Sequence, residues 1–331
     1  MSIFFAIIIF MLVILFHELG HFSMAKKVGI RVNEFSVGMG PALLQKQKGE
    51  TLYSLRALPL GGYTAMEGED EESTEEDSFD QASCGRRFLT ILAGPLMNLL
   101  ISFLCFAIFS GIIGSPTLVV GGFSPNSPAK KAGIEIGDTI VSMDGQSIRE
   151  FNEISKNLQR SGGKTVELRV LREGKELALQ IEPKEDGGAY YLGITAQNQR
   201  GIFLAIKEGF IRTFTLLIQL FLILFRLLTG KLSLKALSGP IGVIHVIGQA
   251  AHQGFAQLVF LTGYISLNLG FFNLLPIPAL DGSKLVFIAI EKIRGKKIPK
   301  NMEEKITTAG FVFLMAIILI VSVKDIFTFL L

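Results

Sequence analysis

Long apolar runs alternate with charged segments along this chain of 331 residues. Four runs have the roughly 20 mostly apolar residues that an α-helix needs to cross a bilayer. They cover about residues 2–25, 88–113, 255–277 and 308–330. A fifth run, Phe214–Leu228, is shorter and has basic flanks, which indicates a helix at the membrane interface or against the bundle, with a full extra span left open. The pattern predicts a polytopic α-helical membrane protein with about four transmembrane helices.

Two polar segments separate these runs. The first contains alternating residues such as Thr51–Leu55, which predict short strands and turns, and then an acidic, solvated loop at 67–80. The second, 115–198, mixes strand and helix signals, with a hairpin turn at Glu173-Gly174. We therefore expect three domains: a first half of a membrane core at 1–114, an inserted α+β domain at 115–198, and a second half of the core at 199–331.

Composition and charge support this division. Hydrophobic residues make up 49% of the chain and charged residues 18%, values that fit a membrane protein better than a soluble enzyme. No basic tract suggests nucleic-acid binding, and the two cysteines do not suggest a disulfide framework. Lysine and arginine cluster at 26–87 and at 284–300. By the positive-inside rule both loops are cytoplasmic, so the inserted domain and both termini are expected outside.

The first apolar run contains His17-Glu18-Leu19-Gly20-His21, an H-E-x-x-H sequence. Residues four apart share one face of a helix, so His17 and His21 can bind one divalent metal ion. Glu18 would then lie beside the metal, where it can take a proton from a bound water. Ionisable side chains are costly inside a membrane, which favours a functional role over chance.

A catalytic zinc ion usually has three protein ligands and a water, so a third ligand is needed. The other histidines, His245 and His252, are candidates, but Asp281 is the better one. It follows the helix-breaking prolines of Pro276-Ile277-Pro278, and irregular backbone at membrane depth is tolerated where it lines a cavity. A simple helix N-cap is the alternative role for Asp281.

The two motifs, H-E-L-G-H in the first run and N-x-x-P-x-P-x-L-D-G at 273–282, together resemble the site-2 protease family of intramembrane zinc metalloproteases of the bacterial type. The resemblance extends over nearly the whole chain, through four further stretches: Val37–Pro41, Leu60–Tyr63, Ala93–Asn98 and Ser238–Gly242. It implies a bacterial inner-membrane protein in contact with lipid, with a membrane-re-entrant β-hairpin around 50–66 that holds the substrate extended.

The resemblance also implies roles for individual residues. His17, His21 and Asp281 would bind Zn²⁺ and Glu18 would be the catalytic base. Asn273 is similar to the family's asparagine that contacts the substrate backbone, with Asn98 in a supporting part. The substrate would be a single-span membrane protein already trimmed outside, such as an anti-sigma factor, or a signal-peptide remnant.

The inserted domain resembles a bacterial, circularly permuted PDZ domain. Its signature is carried by Ser127–Ala129, Ala132–Ile134, Gly137–Ile140 and Asp144-Gly145. In such a domain, Tyr191, Leu192, Gly193 and Ile194 would form the loop whose amides receive a peptide carboxylate. Only one such module fits this chain, whereas other members carry two.

Two alternatives from other functional classes remain at this stage. A metal-ion or solute transporter could use the same His, Glu and Asp side chains, but the inverted repeats and paired broken helices typical of transporters are not evident. A PDZ scaffold with a catalytically dead core is the other, and the presence of Glu18 with both histidines and Asp281 argues against it.

Overall fold

The computed structural model describes residues 2–69, 71–232 and 238–329. The chain divides into two compact units, one formed by Met1–Phe109 with Gly209–Leu331 and the other by Ser110–Glu208. Residue 70 of the predicted acidic loop and residue 330 of the predicted last span lie outside the described residues.

Within the described residues, seven helices belong mainly to the first unit, and the helices are numbered in chain order. The five that are long and apolar enough to cross a membrane are α1 (Ser2–Val28), α2 (Cys84–Ile113), α5 (Ile202–Leu228), α7 (Phe255–Leu274) and α9 (Lys300–Phe329). The shorter ones are α6 (Pro240–Gln253) and α8 (Asp281–Arg294). The fifth apolar run, 214–228, is the second half of α5, whose 27 residues are long enough for the extra span that the sequence left open.

Prolines and glycines separate the later helices. Gly254, at φ +105°, lies between α6 and α7 in a backbone conformation that L side chains rarely adopt. Between α7 and α8 the chain carries Pro276 and Pro278, which cannot continue a helix, and Ala279 has a positive φ of 76°. This break ends α7 and starts α8 at Asp281, so the predicted third ligand begins a helix of its own.

A long hairpin follows α1. Its strands, β1 (Val32–Lys48) and β2 (Thr51–Met66), pair antiparallel with several register shifts. Residues 34–37 of β1 have partners at 52–55 and also at 62–65 of β2, so the hairpin folds back on itself. The pairing therefore divides the two long strands, of 17 and 16 residues, into the short segments 34–37, 44–48, 51–55 and 62–65 with bends between them, which agrees with the predicted short strands and turns.

Apolar packing joins the elements around the H-E-x-x-H sequence. One buried cluster brings the end of α1, the start of β1 and helices α2 and α8 together through Ala25, Val32, Ile91, Leu285 and Ile288. A second cluster packs the first half of α1 against α6 and α7. The close packing of these side chains fixes α1 between the other helices.

The second unit is a β-sheet with two helices. Its strands are β3 (Ser115–Phe123), β4 (Thr139–Met143), β5 (Gln146–Ser147), β6 (Val166–Arg172), β7 (Lys175–Ile181), β8 (Lys184–Asp186), β9 (Ala189–Tyr191) and β10 (Ile194–Gln199). Its helices are α3 (Pro128–Lys131) and α4 (Phe151–Ser161). The main sheet has the order β10-β3-β4-β6-β7, so β10 is an edge strand. The sheet and both helices enclose one apolar core that includes Val120, Ala129, Ile140, Leu158 and Val170.

Candidate active site

The two histidines of the H-E-x-x-H sequence are buried, one helical turn apart, in α1. Only 7% of His17 and 6% of His21 is exposed, and their Nε2 atoms lie 3.2 Å apart. The Nδ1 atom of His21 lies 2.9 Å from the backbone carbonyl oxygen of Thr90 in α2. A carbonyl can only accept, so Nδ1 carries the proton and the lone pair of His21 is on Nε2.

The same argument applies to His17 and Asn98. The side-chain nitrogen of Asn98 lies 3.2 Å from Nδ1 of His17, while the Asn98 amide oxygen is buried without a partner. The oxygen and nitrogen of an amide are assigned from the hydrogen-bond network, and rotating this amide by a half turn places the orphaned oxygen on the histidine. His17 then donates from Nδ1, and its Nε2 lone pair also faces the other histidine.

Asp281 reaches both of these lone pairs from the first position of α8. Its Oδ2 atom lies 3.0 Å from Nε2 of His17 and 3.4 Å from Nε2 of His21. This oxygen is buried and has no hydrogen-bond partner. With both histidines protonated at Nδ1, three acceptor atoms face one another and none of the three can donate, which is unfavourable unless a cation binds among them.

Glu18 lines the same polar cavity, which has a volume of 270 Å³ and also contains Tyr63, Thr64 and Glu69. The hydroxyl of Thr64 in β2 donates to the backbone carbonyl of Glu18 at 3.0 Å, so the hairpin is attached directly to the H-E-x-x-H turn. Sequence reasoning did not identify Thr64, because a hydroxyl that bonds a backbone carbonyl leaves no sequence signature.

The hairpin carries its own charged network near this attachment. Arg56 bonds Glu34 at 2.7 Å, and its guanidinium lies 5.4 Å from the centre of the Tyr63 ring. Partial burial raises the pKa of Glu34, but hydrogen bonds from Ser54, Tyr63 and Arg56 outweigh it and lower that pKa. The carboxylate therefore stays charged and holds the two halves of the hairpin together.

Two glycines allow α1 and α2 to meet at the histidines. A Cβ atom on Gly20 would come within 2.8 Å of the carbonyl carbon of Ala93 and within 2.9 Å of Cα of Gly94. A Cβ atom on Gly94 would overlap the imidazole of His21. Small residues permit such close contact between membrane helices, and here the contact brings the acceptors of α2 to the histidines.

The donor set fits a zinc ion. The ligand atoms of His17, His21 and Asp281 all lie within 4.8 Å of one another. Among the His, Cys, Asp and Glu side chains that the structure describes, this is the group of three close enough together to hold a metal ion. Two imidazoles, one carboxylate and an open position are typical of catalytic zinc sites. His245, the alternative third ligand, is exposed on α6 and contacts Gln249.

The predicted asparagines both reach His17, but on opposite edges of its ring. Asn273, in the last turn of α7, is 8% exposed and its side-chain nitrogen lies 3.5 Å from Nε2, on the side of the ring that faces Asp281. Asn98 is fully buried at Nδ1. Because Asn98 is buried behind the ring, its position favours a role in orienting His17 and not a direct contact with substrate.

The predicted carboxylate-binding loop belongs to the second unit. Tyr191 ends β9 and Ile194 begins β10. The carbonyl of Leu192 accepts from the amide of Ala129, and that of Gly193 accepts from the amide of Ser124, both at 3.0 Å. Gly193 has φ +72°, and a Cβ atom there would lie 2.7 Å from the Ser124 hydroxyl, so this position requires glycine.

Several known proteins are similar to this chain. The sequence model of peptidase family M50 matches residues 5–317. A relative from Clostridium acetobutylicum, provisionally named a zinc metalloprotease, is 39% identical over 97% of this chain and 96% of its own. The regulator of sigma-W protease RasP of Bacillus subtilis is 29% identical over 97% of each chain. The PDZ domain of an SdrC-like protein from Listeria innocua is 24% identical, covering 26% of this chain and 97% of that domain, with a TM-score of 0.22.

The chain belongs to peptidase family M50, the site-2 proteases. It is a membrane protein and an intramembrane zinc metalloprotease, as the sequence predicted, and the transporter alternative is set aside. Zinc is the cofactor that the names of its relatives indicate.

Proposed function

We propose that His17, His21 and Asp281 hold the zinc ion of this protease and that Glu18 is its catalytic base. The observation that carries the proposal is the convergence of two Nε2 lone pairs and one orphaned carboxylate oxygen, with 3.0 and 3.4 Å between the carboxylate and the imidazoles. Asn98 and the Thr90 carbonyl keep the histidines in the tautomer that a metal requires.

The chemistry follows from the positions of these groups. When bound, Zn²⁺ lowers the pKa of a water toward about 7 and polarises the scissile carbonyl. Glu18 accepts the proton of the attacking water in the 270 Å³ cavity. It then delivers that proton to the amide nitrogen as the C–N bond breaks, so the new amine leaves neutral.

The substrate we propose is a single-span membrane protein, such as an anti-sigma factor or a signal-peptide remnant. The name of the Bacillus subtilis relative, a regulator of sigma-W protease, supports this class. A transmembrane helix shields its peptide bonds by its own hydrogen bonds, so it must unwind locally. The end of β2, held to Glu18 through Thr64, offers a strand edge with which the unwound segment can pair, and Asn273 would bond its backbone.

For the topology we propose four crossings, by α1, α2, α7 and α9, in the bacterial inner membrane with the zinc site near the cytoplasm. Gly239 donates to Asp325 near the end of α9, whereas Lys300 starts that helix on the side of the basic loop. In the topology we propose, the chain is therefore outside again when it reaches Gly239. We infer that α5 enters the bilayer beside α2 and α7 without adding a net crossing.

We also propose that the 110–208 unit is a PDZ module on the outside of the membrane, whose edge strand β10 pairs with a bound peptide.

Two variants test the assignment of the site. Glu18→Gln keeps the shape of the side chain but removes the base, so zinc should remain bound while cleavage falls by at least about 10²-fold. Asp281→Ala removes a ligand, so zinc affinity should fall together with activity. His252→Ala, on the exposed end of α6, is the matched control and should keep both.

The measurements are zinc content of the purified variants and cleavage of a model single-span substrate with and without a chelator. Full zinc and full activity in Asp281→Ala would remove this residue from the site. Loss of zinc in Glu18→Gln would make Glu18 a ligand and not the base.

A further inference from the structure

A buried ion pair joins the start of α2 to the end of α8. Nη2 of Arg87, in the first turn of α2, lies 2.5 Å from Oε2 of Glu291 near the end of α8. Each residue is only 7% exposed. The other carboxylate oxygen of Glu291 accepts the amide of Ile298 at 2.9 Å, which fixes the chain after α8 as well.

The two helices that this pair joins carry different parts of the metal site. Helix α2 supplies the groups that orient the histidines, the carbonyl of Thr90 one turn after Arg87 and the side chain of Asn98. Helix α8 begins with Asp281. The distance from the carboxylate to the imidazoles therefore depends on how α8 is set against α2.

Apolar packing alone does not fix that setting. Ile91 of α2 packs with Leu285 and Ile288 of α8 in one buried cluster, and such contacts have no preferred direction. A charge-assisted hydrogen bond is directional and short. The desolvation of a buried pair largely cancels its attraction, so such a pair is better explained by the arrangement it selects than by added stability.

We propose that Glu291 and Arg87 are positioning residues, which hold Asp281 at the distance from His17 and His21 that zinc requires. This inference rests on the proposed metal site. It adds that the site is completed from outside the motif, by a pair 204 positions apart in the chain. A metal–ligand bond tolerates only about 0.2 Å of error, so a small rotation of α8 is enough to weaken binding.

The test uses the full-length protein purified in detergent. Glu291→Gln is isosteric, and its amide oxygen can still accept from Ile298 while its NH₂ group opposes the Arg87 guanidinium. We expect zinc affinity, measured by competition with a chelator, to fall about 10-fold, the lower end of the effect of removing a supporting group around a metal. The kcat for a model single-span substrate should fall with it while KM changes little.

Arg87→Lys, which keeps the charge, should shift zinc affinity in the same direction but less. The matched control is Asp80→Asn, which removes a neighbouring pair in which the Lys297 side chain is 52% exposed and the Asp80 side chain 16%. This control should keep wild-type zinc affinity, because water screens a pair whose ammonium group is half exposed.

Unchanged zinc affinity in both pair variants would overturn the inference. So would a lower melting temperature with unchanged zinc affinity, which would make the pair structural only. A wild-type protein that binds no zinc would instead remove the proposed site itself, and measuring the wild type first separates the two failures.

Discussion

Gly94→Ala tests how closely the zinc site depends on the contact between α1 and α2. The added Cβ atom would lie 2.5 Å from Cε1 and 2.8 Å from Cδ2 of His21. Carbon atoms in contact are normally about 3.5–4.0 Å apart, so the imidazole would have to move by about 1 Å. That displacement exceeds the roughly 0.2 Å tolerance of a metal–ligand bond several times over.

The expected result is a fall of at least about 10²-fold in zinc affinity and in peptide cleavage, the scale on which a 1 Å misplacement acts at a reacting centre. Helix propensity predicts the opposite sign, because alanine is favoured over glycine in a helix by about 1 kcal/mol. The variant should therefore fold and still lose its metal.

The assay compares Gly94→Ala with Gly85→Ala in the same helix, where a Cβ atom would meet nothing within 4 Å. Zinc affinity is measured by chelator competition, cleavage with a model single-span substrate, and helix content by circular dichroism. If Gly94→Ala bound zinc and cleaved substrate as well as Gly85→Ala, the close approach at His21 would have no role in the site.

Three further outcomes are expected. Asp325→Ala should lower the melting temperature. The Asp325 carboxylate accepts hydrogen bonds at 2.8 Å from two backbone amides at the start of α6, and each amide left without a partner costs about 1–3 kcal/mol. An unchanged melting temperature would contradict this. Asn98→Ala should weaken zinc binding about 10-fold by releasing His17, and equal affinity would exclude that role. The hydrogen bond from Arg172 lowers the pKa of Asp138, although burial of the carboxyl group raises it. The ionised carboxylate therefore adds its full stability above the ordinary aspartate pKa of about 3.9, and this stability is lost as pH falls through the lowered pKa. The protection factors of amides at 110–208, which correct for the intrinsic exchange rate at each pH, should fall below about pH 4 in the wild type and depend less on pH in Asp138→Asn.

The hairpin shows which part of a fold sequence reasoning misses. The alternating pattern predicts short strands and turns but not which segments pair. In the structure Gly38 and Gly61 have φ values of +85° and +80° where β1 and β2 bend between paired segments, and the register of β1 shifts next to Gly38. A glycine with positive φ serves a bulge as well as a turn, and only the pairing partner distinguishes the two.

The hydropathy pattern underestimates the length of helix α5 for an electrostatic reason. Charged residues such as Arg212 suggest that the apolar run begins only after them. The Arg212 guanidinium lies 5.4 Å from the centre of the Phe109 ring and 5.9 Å from that of Phe260. Aromatic faces stabilise a cation where water is scarce, so the helix continues through a residue that a hydropathy pattern treats as an end.

The site itself is predictable to the extent that its information is local. His17 and His21 share a helix face by spacing alone, and Asp281 stands out because prolines interrupt the helix before it. Of the two groups that set the tautomers, Asn98 is identified from its motif, but the acceptor for His21 is not. That acceptor is the backbone carbonyl of Thr90, whose side-chain hydroxyl bonds elsewhere, to the carbonyl of Arg86. Position 90 thus acts through its place in α2 and not through its residue type. The start of α2 must therefore be held in place by other contacts, and the buried pair of Arg87 with Glu291 is a directional contact that links it to the helix bearing the third ligand.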